Sequence, residues 1–525
     1  MKNILRFLAI TVCCMLIVNT SFPEEVQTVN KSTSTLKETA AGCASGSMYK
    51  YLDINNVRTL IYSYGNGWFL ENAEYEIPKG SRKMSMFSFS LWIGGIDINN
   101  NLKLAAYRYG QGPTSGTAHI KNDYWPGPLT VDGTAAIDEE TCAKYDKLFP
   151  MTRAEVQEFL AWWDNKADFP DYVIPKSILD WPAHGDRAKG QAWFLAPFFD
   201  NDGDMTYDPK NAGDYPYYDL ANKLCQRNLK PGEKIARAHL RNGEPDDTLG
   251  IMVDQVIKGD QTLWSVYNDK GNYHSETQGD PIGMEIRAQY FAFATNDEIN
   301  NMTFYSYELV NRSTYTLTGT YFCQWVDTDL GYAWDDYVGC DVGRGLGYCY
   351  NGKPIDGSGQ VEAYGAHPPA VGVDFFQGPY IDPDGCDNPS FKGPTDKGPS
   401  FGGDCNIVNL NGKEIEMTYG PDNSLTGIFT VRAEAINGIN FGDGIIDNER
   451  YGMKRFVYHN NGGAYYMSDP SYAAEYYLLL QGIWKDGQKM LYGGNGHPSA
   501  GACGPESDFM FPWASDDCKI GRAHV

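Results

Sequence analysis

Residues 284–294 read MEIRAQYFAFA, residues 303–310 read TFYSYELV, and residues 318–326 read TGTYFCQWV. Each run is rich in aromatic and β-branched side chains, and the second alternates apolar with polar positions, as a pleated strand requires. Thr295-Asn296-Asp297 and Asn311-Arg312-Ser313 separate them with turn residues. Three successive strands with short connections predict an antiparallel sheet of a sandwich. The fold class read from the sequence is therefore mainly β: antiparallel β-sandwich-like domains with short helical insertions.

The rest of the chain punctuates itself in the same way. Its 57 glycines and 28 prolines fall mostly between apolar runs. Residues 46–140 read as an N-terminal β-rich domain. Within it, Met84–Ile93 (MSMFSFSLWI) places Phe87, Phe89 and Leu91 on one face, expected to pack a core. Ile96-Asp97-Ile98, Asn99-Asn100-Asn101 and Leu102-Lys103-Leu104 read as strand, turn and strand. Residues 141–190 read as a helical insertion. Thr152 and Glu155 have capping-box spacing, and Val156, Phe159, Leu160 and Trp163 lie on one helical face. Residues 191–519 read as a β-sandwich-like region with acidic loops and a helix near 470–484. That helix is expected to begin at Asp469-Pro470 and to carry the stripe Tyr472, Ala473, Tyr476, Tyr477 and Leu480.

The ends carry their own signals. Lys2 and Arg6 precede the apolar run Phe7–Val18 and a small-residue exit, so residues 1–21 read as a secretory signal peptide and 22–45 as a flexible leader. No other stretch is long and apolar enough for a transmembrane helix. Of twelve cysteines, ten lie beyond the signal, and in an exported chain the default is a disulfide framework. Local candidates are Cys340–Cys349, Cys386–Cys405 and Cys503–Cys518. Residues 520–525, IGRAHV, resemble the translation of a short-read sequencing adapter. They are expected to be read-through after a truncation near Cys518.

A net charge of −24 is the opposite of the basic surface that nucleic acid demands, and suits bound cations instead. The sharpest local pattern is Asp200-Asn201-Asp202-Gly203-Asp204-Met205-Thr206-Tyr207-Asp208. Carboxylates at Asp200, Asp202, Asp204 and Asp208, with the Thr206 carbonyl, match the oxygen-rich coordination of calcium. The loop resembles the first half of an EF-hand or dockerin loop, with Met205 at the usual glycine, Asn211 at the usual glutamate, and Asp214 as a substitute ligand. Weaker acidic groups are Asp327, Asp329, Asp335, Asp336 and Asp341; Asp382, Asp384 and Asp387; and Asp443, Asp447 and Glu449. For these a solvated turn is as good a reading.

Catalytic readings fare worse. Gly398-Pro399-Ser400-Phe401-Gly402 matches G-x-S-x-G but lacks the strand before and helix after that a nucleophile elbow needs. The histidines are scattered, with His184 (in WPAHGD) and His274 (near Glu276) the two that could face a cleft; a lone histidine is more often structural. No catalytic residue and no glycosidase carboxylate pair can be picked out.

Six segments together resemble a family of large, mostly uncharacterised secreted proteins of Bacteroidota-type bacteria: Ser90–Gly95 (SLWIGG), Trp181–Asp186 (WPAHGD), Gly213–Pro216 (GDYP), Gln324–Gly331 (QWVDTDLG), Asp336–Asp341 (DYVGCD) and Pro368–Gly372 (PPAVG). The resemblance implies export to the cell surface or medium and a C-terminal type IX secretion sorting domain, which this chain lacks; it implies no catalytic residue. The expected function is a secreted or cell-surface, calcium-stabilised binding or structural protein. Its partners would be the export machinery and an extracellular polysaccharide or protein ligand. The alternative is a secreted hydrolase acting on polysaccharide or protein.

Overall fold

A computed structural model describes residues 41–70, 72–109, 121–218, 256–380, 407–410, 413–416, 438–440, 446, 448–460, 462–491, 493–502, 506–511 and 523–524. It is mainly β, with several antiparallel sheets and few helices. One sheet has seven strands: β1 (Tyr49–Leu52), β2 (Arg58–Tyr62), β3 (Asn66–Gly67), β4 (Tyr75–Glu76), β5 (Ser88–Ile96), β6 (Leu102–Ala105) and β14 (Thr318–Asp327). The other has five: β7 (Trp125–Pro126), β8 (Phe149–Thr152), β11 (Gln261–Asn268), β12 (Met284–Ala292) and β13 (Phe304–Asn311). Between β8 and β11 lies a two-stranded ribbon, β9 (Phe198–Phe199) with β10 (Tyr215–Pro216).

The three runs that announce the fold do become strands, but not neighbours in one sheet. β12 and β13 pair, with Ile286 opposite Leu309, whereas β14 crosses to the other sheet and pairs with β5, Cys323 opposite Trp92. The reason lies in β5, buried along eight of its nine residues. A buried strand edge with unpaired amides is costly, and β14 supplies the bonds. The two sheets face each other over a core that holds Phe89, Leu91 and Ile93 of β5 and Ile286, Ala288 and Tyr290 of β12. The Phe89 ring centroid lies 6.0 Å from Tyr290 and 4.9 Å from Tyr305. The expected inward face of Met84–Ile93 is thus borne out at Phe89 and Leu91.

Both sheets are covered on their outer faces too, which explains runs without clean alternation. β11 sends Leu263 and Tyr267 to the central core and Trp264 and Val266 to a second one. There they meet Val156 and Phe159 of α2 (Arg153–Asp164), which follows α1 (Glu139–Tyr145), and Ile178 of α3 (Lys176–Leu179). The capping box is present: Thr152 Oγ1 accepts from Glu155 N at 3.2 Å, and Glu155 Oε2 accepts from Thr152 N at 3.0 Å. On the outer face of β12 sits Glu285, 0% exposed, 2.9 Å from both Arg287 and Arg312. Burial raises its pKa, but the two guanidinium groups outweigh this and hold it below the usual range.

The seven-stranded sheet is backed by α4 (Ala473–Leu480), whose Tyr476, Tyr477 and Leu480 pack on Trp92, Leu104 and Trp325. The helix begins at Ala473 rather than at Asp469-Pro470. Asp469 is used elsewhere: its oxygens meet Arg108 Nη1 at 2.5 Å and His459 Nδ1 at 3.0 Å. Beyond β14 come β15 (Asp336–Asp341), β16 (Leu346–Asn351), the short pair β17 (Ile355–Asp356) and β18 (Gly365–Ala366), and β19 (Ala370–Asp374), with β16 between β15 and β19.

Cys43 and Cys142 form a disulfide across 99 residues, with Cα atoms 5.9 Å apart. The candidate Cys340–Cys349 is corrected: these sulfurs are not joined to each other. The β15–β16 register puts Cys340 opposite Gly347 and Cys349 opposite Val338. Diagonal partners sit about 7–8 Å apart, beyond disulfide reach. Cys386, Cys405, Cys503 and Cys518 lie outside the described residues, as do the signal peptide, most of the leader and the G-x-S-x-G run. No helix among the described residues is long and apolar enough to cross a membrane.

Candidate metal centre

The β9–β10 ribbon sets the geometry of the acidic loop. Phe198 faces Pro216 and Phe199 faces Tyr215, so the next rung brings Asp200 and Asp214 to the mouth of the loop. Phe199 and Tyr215 stack at 5.0 Å and close the ribbon. Asp200, Asp202 and Asp214 each offer an oxygen within 4.8 Å of the others, the one such acidic or metal-ligating group among the described residues. Asp200 is 1% exposed and Asp214 0%, while Asp202 reaches solvent.

Backbone amides hold these carboxylates in place. Asp200 accepts from Gly203 N at 2.7 Å and Met205 N at 2.8 Å. Asp214 accepts from Asn201 N at 2.8 Å and Asp208 N at 2.7 Å. Each oxygen retains a second lone pair for a cation. Met205, at the usual glycine position, adopts φ +65, the left-handed conformation that glycine ordinarily supplies. Trp193 Nε1 donates to its carbonyl at 2.9 Å and steadies it.

Electrostatics separates the converging carboxylates from the rest. Among the described residues Asp200, Asp202 and Asp214 have no salt-bridge partner. Burial, with Asp202 alongside, pushes Asp200 above the usual carboxylate range despite its two amide donors. Burial, with Asp200 and Asp202 nearby, pushes Asp214 up to about 6. Asp208, by contrast, turns to Asn211, whose side chain and amide lower its pKa. Asp204 accepts from Thr206 N at 2.7 Å, and both residues are exposed. The structure thus gathers Asp200 and Asp202 with Asp214, and leaves Asp204, Thr206 and Asp208 outside the group. Calcium, with six to eight oxygen ligands and forgiving geometry, fits three such carboxylates, with waters and carbonyls as the remainder.

The two singled-out histidines are structural. His184 Nε2 accepts from Tyr207 N at 2.9 Å while Nδ1 meets the Trp193 carbonyl at 3.0 Å, and its ring stacks on Trp193 at 3.9 Å. The WPAHGD segment therefore anchors the acidic loop. His274, 1% exposed, has both ring nitrogens on carbonyls, Leu104 O at 2.8 Å and Asp269 O at 2.6 Å. Only an imidazolium can donate twice.

Among the described residues the weaker acidic groups form no second such cluster. Asp336 accepts from Leu330 N at 3.0 Å, and Asp335 from Asn351 Nδ2 at 2.9 Å. Burial pushes Asp327 and Asp336 up to about 7 and Asp329 up to about 6. Asp341 caps the turn at residues 342–344. Glu449 is buried, and Asp443, Asp447, Asp382, Asp384 and Asp387 lie outside the described residues. No known family model, curated protein or solved structure matches the chain.

Proposed function

We propose that this is an exported binding protein whose loop at residues 200–214 is stabilised by a calcium ion held by Asp200, Asp202 and Asp214. The observation that carries this reading is the convergence of those three carboxylates, two of them buried, with no salt-bridge partner among the described residues. Bringing like charges together raises their pKa values, and a cation relieves that repulsion. The charged start and apolar run of residues 1–21, the resemblance to secreted Bacteroidota-type proteins and the Cys43–Cys142 disulfide support export. The ion's role is structural: it ties β9 to β10 and, through Trp193 and His184, to the helical layer.

Thermal unfolding in chelator, calcium and magnesium tests the reading. A ligand selective for the folded state adds about 2.7 kcal/mol at one hundred times its dissociation constant. Magnesium, which demands an octahedron and keeps its waters, should add less. The calcium shift should vanish in Asp202→Ala with Asp214→Ala; an undiminished shift in that double variant refutes the site. The second reading, a secreted hydrolase, has one observation in its favour: Asp327, pushed up to about 7, in the wall of a cavity. It requires turnover of polysaccharide or protein that Asp327→Asn abolishes.

A further inference from the structure

β14 ends the seven-stranded sheet. One of its edges is satisfied by β5. Along the other, among the described residues, the backbone of residues 318–327 bonds to no second strand; it meets only side chains, such as the Tyr477 hydroxyl on the Gly319 carbonyl at 2.7 Å. This edge opens into a cavity of about 340 Å³ whose wall includes every residue from 320 to 328. Facing it is the segment 451–459, all of which lines the cavity and which, among the described residues, forms no ladder with β14. The Arg455 guanidinium lies 5.8 Å from the Tyr321 ring, and Trp325 Nε1 donates to His459 Nε2 at 3.1 Å. Val371 and Val373 of β19 and Tyr348 of β16 form the third side.

An exposed row of backbone N–H and C=O groups is a template for one kind of occupant, another extended chain. The apolar walls, Val371 and Val373 on one side and Trp325 and Tyr321 on the other, offer places for its alternating side chains. Charge then distinguishes the two ends. At the Tyr321 end, Arg455 is engaged by Asp508 at 3.3 Å. At the other end Asp327 lies beside Asp329, with Asp469 nearby; among the described residues the cationic groups close to them are engaged, Arg108 by Glu276 at 3.0 Å and Asp469 at 2.5 Å, and Lys485 by the Asp469 carbonyl at 2.7 Å, while His459 sits on Asp469 at 3.0 Å. This end has carboxylates in excess.

We propose that the free edge of β14 is a docking site for an extended segment of a partner protein, which adds as a further strand and places a lysine or arginine at Asp327. The proposal rests on the reading of the chain as a binding protein and names the surface that does the binding. It is independent of the calcium loop, so calcium-dependent melting is unaffected by its outcome.

The test is a tryptophan-fluorescence titration of the full chain with three capped seven-residue peptides. The first alternates threonine and valine around a central lysine. The second has glutamate at the centre. The third repeats the lysine peptide with alternate backbone amides methylated on the edge that would pair. The lysine peptide should bind with a dissociation constant of about 100 µM or tighter, and the glutamate peptide about tenfold more weakly. The methylated peptide should not bind. Asp327→Asn, checked for an unchanged melting temperature, should erase the preference for lysine. No binding of the lysine peptide at millimolar concentration overturns the proposal. Equal binding of the methylated peptide also overturns it, because the cavity would then take side chains or small molecules rather than a strand. The methylation comparison uses the parent protein and stands even if Asp327→Asn fails to fold.

Discussion

Replacing His274 by phenylalanine removes a buried cation from the seam between the two sheets. The ring donates to Leu104 O on β6 and Asp269 O after β11, and its nitrogens lie 3.7 Å from Asp123 and 4.0 Å from Asp269. Burial lowers the pKa of His274, but Asp123, Asp269 and the two carbonyls outweigh this and hold it above the usual histidine value. Phenylalanine leaves two carbonyls without donors and two buried carboxylates without their cation. Breaking a buried charge cluster in this way costs about 3–5 kcal/mol. A pH dependence follows with a definite sign. Because the folded pKa is raised, the stabilisation is complete below the unfolded value of about 6.5 and is lost as pH rises through the folded value. Urea unfolding of the parent and His274→Phe at mildly acidic and mildly alkaline pH measures both effects, and the difference between the proteins should shrink at the alkaline end. Nitrogen-detected NMR of the parent near pH 6 should show both ring nitrogens protonated. A variant within about 0.5 kcal/mol of the parent, the range of ordinary surface changes, or a ring with one bare nitrogen, refutes the account.

Three further outcomes are expected. Cys142→Ser opens a loop of 99 residues and should cost about 4–5 kcal/mol by denaturation, matched by reduction of the parent. His184→Phe deprives Tyr207 N of its acceptor and should cost about 1–3 kcal/mol, while weakening calcium affinity in the same preparation. Burial lowers the pKa of His184, so its contribution should be present above about pH 6.5 and fade as pH falls through the folded value. Glu155→Ala breaks the capping box of α2 and should cost about 1 kcal/mol, read as a lower unfolding midpoint.

Local chemistry was legible in the sequence, and long-range pairing was not. The capping box at Thr152, the turn at residues 99–101 and the inward positions Phe89 and Leu91 depend on neighbours a few residues away, and each is found in place. The destination of β14 was hidden, because short connections favour a neighbour in the same sheet while the unmet need lay in β5, more than two hundred residues earlier. Asp469 looked like a helix cap until Arg108 and His459 claimed it. In the acidic loop, spacing alone pointed to Asp204 and Asp208 as readily as to Asp202. Only the two-residue ribbon pairing Phe199 with Tyr215 carries Asp214 back to Asp200. The burial of Glu285 and Arg287 was equally hidden, because the partners that make it possible come from other segments: Arg312 and the Leu129 amide on Glu285, and Glu308 on Arg287.

The central claim is that the loop at residues 200–214 holds a cation, and terbium luminescence tests it directly. Terbium takes calcium's oxygen ligands, and excited at the indole band it emits only near an aromatic donor. Trp193 bonds to the Met205 carbonyl and the Trp163 ring packs on Gly213, so both lie within the loop's reach. The account predicts sensitised emission that saturates at one ion for this loop, is displaced by calcium, and disappears in Asp200→Asn with Asp214→Asn in a protein that remains folded. Undiminished emission in that double variant, or none from the parent, would contradict it.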